Sequence, residues 1–95
     1  MTTFHSDKAE QTACFSVQAC ADPGVLPRIL ALFAKRGLVP GHVRVDRTGD
    51  GDALAIEIHM NGMDQSVAVY IGECLRGIFT VDQVLVSELR RTKVA

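Results

Sequence analysis

The sequence predicts an α+β fold in the order βαββαβ, a four-stranded antiparallel sheet with two helices on one face. Three observations carry that expectation. Residues 22 to 37, DPGVLPRILALFAKRG, hold a turn, a helix start, an apolar stripe and a helix stop directly after a strand. Two alternating segments flank Gly49-Asp50-Gly51-Asp52, which reads as a hairpin. A second helical stripe then leads into a last alternating segment.

Each element has its local reason. The first strand runs from about Thr12 to Ala19, with Phe15, Val17 and Ala19 on one face and Ser16 and Gln18 on the other. Asp22-Pro23-Gly24 is turn chemistry, and Pro27 lacks an N–H, so it belongs in a first helical turn and sets the start near Gly24 or Val25. Leu26, Ile29, Leu30 and Phe33 share a face, Arg28, Lys35 and Arg36 lie mostly off it, and Gly37 supplies the stop. Pro40-Gly41 leads into strand two, His42 to Arg47, placed at an edge because proline removes a ladder donor. Strand three covers Leu54 to Met60 and Asn61-Gly62 turns the chain. Helix two spans about Asp64 to Arg76, with Val67, Tyr70, Ile71, Cys74 and Leu75 expected inward, and strand four is Val81 to Leu89. Residues 1–11 read as a flexible tail, 12–89 as one domain and 90–95 as a basic tail.

The hairpin can be checked against itself. A two-residue turn at Asp50-Gly51 pairs Val43 with Ile58 and Val45 with Ile56 on the apolar face, and Arg44 with Glu57 on the polar one. One register satisfies both faces. The sheet order becomes 4-1-3-2, the helix-covered side taking Phe15, Val17, Val43, Val45, Ile56 and Ile58. The open side carries Ser16, Gln18, Arg44, Asp46, Glu57 and His59.

Composition narrows the partners. The chain has 95 residues, 47% of them hydrophobic, and a formal net charge of −1. That is one small domain, and a near-neutral balance argues against nucleic acid, which asks for a basic face. No apolar run approaches a membrane span, and the opening MTTFHSDKAEQ has no signal-peptide core. Cys14 and Cys20 on one strand stand about 20 Å apart, too far for a disulfide or a shared metal, so reduced thiols in a cytoplasmic protein are expected.

No catalytic constellation emerges. The chain lacks a nucleophile elbow, a P-loop and paired acids that a pocket would enclose. Ser16 and His59 could approach each other, but on a flat, solvated face. The same register sets His42 opposite His59, yet no third ligand comes at a suitable spacing, so the pair reads as two polar side chains and no metal or other cofactor is expected. Cys74 reads as core, and Glu73 and Arg76 as solvated charges. At the first helix start, free amides of Gly24, Val25 and Leu26 would form a small nest for a carboxylate or phosphate. These features describe a binding or regulatory module rather than an enzyme.

The strand FSVQA followed by ADPGVLPRILALFAKRGL, then ALAIEIHM, then IGECLRGIFTVDQVLVSEL resembles an ACT domain, the ferredoxin-like regulatory fold, over residues 12 to 89. More narrowly it is similar to the short, single-domain regulatory subunit of acetohydroxyacid (acetolactate) synthase, of branched-chain amino acid biosynthesis. The resemblance implies a homodimer, a catalytic large subunit as partner, and an amino-acid effector held between the first strand-to-helix loop of one protomer and its neighbour. On this chain that site maps to Ala21, Asp22, Pro23, Gly24, Val25 and Leu26, with Val39 and Pro40. Valine-sensitive relatives carry Asn where Ala21 and Val39 stand. The resemblance therefore implies a scaffolding or activating role, with valine feedback weakened by the loss of two hydrogen-bonding side chains. A free-standing ACT homodimer that senses an amino acid or another small anion is the alternative.

Overall fold

The computed structural model describes residues 11–90, and six elements run through them. They are β1 (Gln11–Cys20), α1 (Val25–Ala34), β2 (His42–Thr48), β3 (Ala53–Asn61), α2 (Gln65–Arg76) and β4 (Val81–Arg90). The strands form one antiparallel sheet in the order β2-β3-β1-β4, as the sequence predicts. β1 reaches one residue further than expected at each end and β4 one residue further at its close, where Arg90 pairs with Gln11. The rest of the two expected tails, 1–10 and 91–95, lies outside the described residues.

The core follows from the alternation along β1 and β3. Phe15, Val17 and Ala19 on β1 and Ile56, Ile58 and Met60 on β3 all point into the helix layer and are buried. Ile29 and Phe33 come down from α1, and the Phe15 and Phe33 rings meet edge to face, with centroids 5.5 Å apart at 81°. α1 is closed, as predicted, by Gly37 just past its end, whose φ of +70° only glycine adopts readily. Its amide bonds the Ala34 carbonyl while Leu38 bonds that of Phe33, the paired closure of a Schellman motif.

The hairpin register is the predicted one: Val43 faces Ile58, Arg44 faces Glu57, Val45 faces Ile56 and His42 faces His59. The connection is longer than expected. The ladder stops at Thr48 and Ala53, leaving Gly49 to Asp52 in the turn. Gly49 and Gly51 both take positive φ there, and Arg47 bonds the Gly51 carbonyl through Nε and Nη2. The charges also settle differently: Arg44 turns along its own strand to Asp46 at 2.9 Å, and Glu57 turns to His59.

Three further expectations need correction. First, the inward face of α2 is Ala68, Ile71, Gly72 and Leu75; Val67 and Tyr70 are exposed and Cys74 is half-buried. The reason is distance. A Cβ added at Gly72 would fall 2.6 Å from Val86 Cγ2, so at that point α2 lies on β4 too closely for a side chain, and Val67, Tyr70 and Cys74 turn to the flank while Ile71 and Leu75 stay inward. There Arg36 bridges the two helices, its guanidinium 5.0 Å from the Tyr70 ring centre and bonded to the Tyr70 hydroxyl at 3.0 Å. Second, Val43 and Val45 share the helix-side face but are 41% and 36% exposed, because α2 rests on β4 and β1 and leaves β2 uncovered. Third, Arg76 is not simply solvated: it binds Glu73 and also donates to the Val84 carbonyl on β4 at 2.8 Å.

Candidate functional site

The loop after β1 is built by its own hydrogen bonds. Cys20 donates to the Thr80 carbonyl, Ala21 to that of Asp52, and Asp22 back to Cys20, so the strand end is pinned between the hairpin and the start of β4. Pro23 and Gly24 then turn the chain into α1. The Asp22 carboxylate folds over this turn and accepts the Gly24 amide at 2.9 Å, while the Asp22 carbonyl accepts the Val25 amide at 3.0 Å. This corrects the expected nest of free amides. Two of its three donors are engaged, and an anion of the chain itself holds one of them. An external carboxylate would have to displace the Asp22 side chain or settle for the Leu26 amide.

The side chains of the mapped site also separate. Val25 is 1% exposed and points into the core, so it is no wall for a ligand. Asp22, Pro23 and Gly24 are exposed and Ala21 and Leu26 half-buried. Val39 is 84% exposed but lies at the other end of the sheet, just before Gly41, whose amide bonds the His59 carbonyl. The loop sits by Asp52 at the Cys20–Ala53 end of the β1–β3 ladder, whereas Gly41 bonds at His59, the partner of Cys14 toward the other end. Six residues of strand separate them, about 20 Å. A single chain therefore does not bring Val39 to the 21–26 loop.

The open face assembles residues that sequence reasoning kept apart. Cys14 stands opposite His59 on one side and Ser87 on the other and is only 6% exposed. Its Sγ lies 3.9 Å from Glu57 Oε2, which in turn lies 2.7 Å from His59 Nε2. The ligand atoms of Cys14, Glu57 and His59 all fall within 4.8 Å of one another. His42 stacks against His59 with ring centroids 4.7 Å apart. His59 therefore has two candidate co-ligands, Cys14 and Glu57, against the expectation that none comes near it. Spacing along the chain does not show this, because Cys14 arrives across the sheet from β1. The hairpin pairs only β2 with β3, so the β1–β3 register that sets Cys14 opposite His59 is seen in the structure alone.

Among the described residues no helix is long and apolar enough to cross a membrane. A sequence model of the ACT-like domain family matches residues 6–93. No curated protein matches the chain by sequence. Its fold is similar to that of the ACT domain from GTP pyrophosphokinase of Chlorobium tepidum, with a TM-score of 0.68 at 10% identity, over 80% of this chain and 96% of that one. It is also similar to the C-terminal domain of the MgtC protein from Mycobacterium tuberculosis, with a TM-score of 0.69 at 16% identity, over 96% of this chain and 100% of that one. The regulatory subunit of aspartate kinase from Thermus flavus aligns with a TM-score of 0.62 at 13% identity, over 87% of this chain and 52% of that one. At such identities the structures speak for the fold, and the sequence match speaks for descent. With nearly the whole length matched and the βαββαβ order, sheet order and helix layer in place, the chain belongs to the ACT-like domain family, whose members are typically regulatory and ligand-binding.

Proposed function

We propose that this chain is a non-catalytic regulatory module that works as a homodimer joined through the β2 edge, and that its partner is the catalytic large subunit of an acetolactate synthase. The uncovered edge carries the first part. β2 ends the sheet with Val43 and Val45 exposed on the helix side, and a second copy brings helices and strand to cover them. A two-fold axis beside β2 runs the two edge strands antiparallel. Val39 of the partner subunit then arrives at the hairpin end of this chain, where the 21–26 loop lies. The effector site, split by about 20 Å within one chain, is complete only in such a pair. The reading of the partner rests on the resemblance of the PGVL, LFAKRG and VDQVLVSEL segments to the synthase subunit.

Two measurements test this reading. Sedimentation velocity at micromolar concentration gives a dimer for the natural chain and a monomer for the Val43→Asp, Val45→Asp double variant, whose far-ultraviolet circular dichroism is unchanged. A natural chain that sediments as a monomer there would remove the shared site. In the second, adding the chain to a purified catalytic subunit raises turnover, and valine inhibits the mixture only weakly. The side chains at 21 and 39 cannot hydrogen-bond the effector, each such bond is worth about 0.5–1.5 kcal/mol, and up to roughly tenfold in affinity goes with each. Ala21→Asn with Val39→Asn should recover part of the inhibition. Unchanged turnover on mixing would sink the partner assignment, and strong valine inhibition with the natural chain would sink the account of the effector site.

A further inference from the structure

The open face of the sheet carries a cluster that the regulatory reading does not use. Register builds it. Cys14 on β1 and His42 on β2 are each the direct cross-strand partner of His59 on β3, so the three stand in a row across three strands. Glu57 precedes His59 by two residues and therefore shares its face. Directly opposed side chains on one face come within contact range, and this is why three residues distant in sequence converge.

We propose that Cys14, Glu57 and His59 form a binding site for a divalent transition metal of the zinc type, with His42 next in reach for the fourth position. Thiolate, imidazole and carboxylate together are the donor set that zinc takes, whereas magnesium and calcium take oxygen alone. The spacing fits. Ligands about 2.0–2.3 Å from a tetrahedral zinc lie roughly 3.3–3.8 Å from one another, so the three atoms need side-chain shifts of about 1 Å or less. Sγ and Oε2 are already 3.9 Å apart, and Oε2 and Nε2, at 2.7 Å, have only to open around the ion. On binding, the Cys14 S–H bond gives way to a Zn–S bond and its proton leaves to solvent. His59 offers the Nε2 lone pair, and Glu57 exchanges its hydrogen bond for coordination. Cys14 is buried among its neighbours, so the sulfur is held on the face rather than free to swing. Arg44, the cation opposite Glu57, is turned away to Asp46 and leaves that carboxylate to the cluster.

Zinc competition against a colorimetric chelator, on the full chain kept reduced with a phosphine, tests the site directly. One zinc per chain at micromolar affinity or tighter is expected. Cobalt in its place should give a sulfur-to-metal charge-transfer band. Cys14→Ser, His59→Gln and Glu57→Gln should each weaken zinc by at least about tenfold, and the charge-transfer band should vanish in Cys14→Ser alone. His42→Gln should weaken it less. Cys20→Ser and Cys74→Ser should leave it unchanged, since both thiols lie away from the cluster. Three ligand variants on two strands keep the test decisive if one of them unfolds, which circular dichroism would reveal. No binding at tens of micromolar zinc overturns the site. So does zinc that binds undiminished in both Cys14→Ser and His59→Gln.

Discussion

Replacing Phe15 with alanine lowers the free energy of unfolding by about 3–5 kcal/mol, the range for large-to-small changes at fully buried aromatics. Phe15 is 0% exposed and sits at the centre of β1, the strand paired on both sides. Its edge-to-face contact with Phe33 is the aromatic link between sheet and α1, and such pairs add about 0.5–1.5 kcal/mol beyond burial. A domain of this size has about 5–15 kcal/mol in all, so the variant loses a large share of its stability. Urea unfolding by circular dichroism at one fixed protein concentration measures it. Phe79, 94% exposed in the turn before β4, is the control: Phe79→Ala should change stability by less than about 0.5 kcal/mol. A loss below about 1 kcal/mol at Phe15 would mean the two layers are held together elsewhere.

Gly72→Leu is expected to cost about 1–3 kcal/mol or more, against the sign of helix propensity. Leucine favours a helix interior over glycine by close to 1 kcal/mol, so an exposed helical site would gain from this change. Here the first added carbon meets Val86 Cγ2 at 2.6 Å, and β-branched Val86 has little rotamer freedom on its strand. Either α2 lifts from β4 or the strand yields. Trimming the obstacle separates these effects: Val86→Ala in the Gly72→Leu background should recover stability, although Val86→Ala alone destabilises. The same urea transitions on the four proteins of this cycle give the coupling. If Gly72→Leu is as stable as the natural chain, the close approach of α2 to β4 is not what confines this position to glycine.

Gly72 also marks where the sequence stopped being legible. The fold could be read because its signals are local: Pro27 and Gly37 bracket α1, alternation marks Phe15 to Ala19, and one hairpin register satisfies both faces. The orientation of α2 could not. By periodicity Val67, Tyr70 and Cys74 make as good an inward stripe as Ala68 and Gly72, and only the distance to β4 decides between them. The same holds for Val43 and Val45, whose face was legible and whose cover was not, since how far a helix layer extends is a tertiary quantity. In the loop, the turn residues and a capping role for Asp22 were legible, but that its carboxylate takes the Gly24 amide an external anion would need is seen only in the geometry. Local competition for donors is easy to underrate when a helix start is read as a free site.

The two edges of the sheet are unlike. On β4 the Val84 carbonyl is engaged by Arg76 from the chain's own helix, and the ladder with β1 shifts register near Gln18 and Ala19. A latched and irregular border is a poor template for another strand. β2 keeps an even ladder with β3 and exposed valines. Had both borders been equally receptive, copies could add head to tail, each new one presenting the next docking edge, and the sheet would grow without limit. With a single receptive border, only pairing of like with like is available, and that geometry uses up the border it needs. The contact from Arg76 to a strand carbonyl thus bears on colloidal behaviour: it favours growth that terminates at two copies over fibre formation.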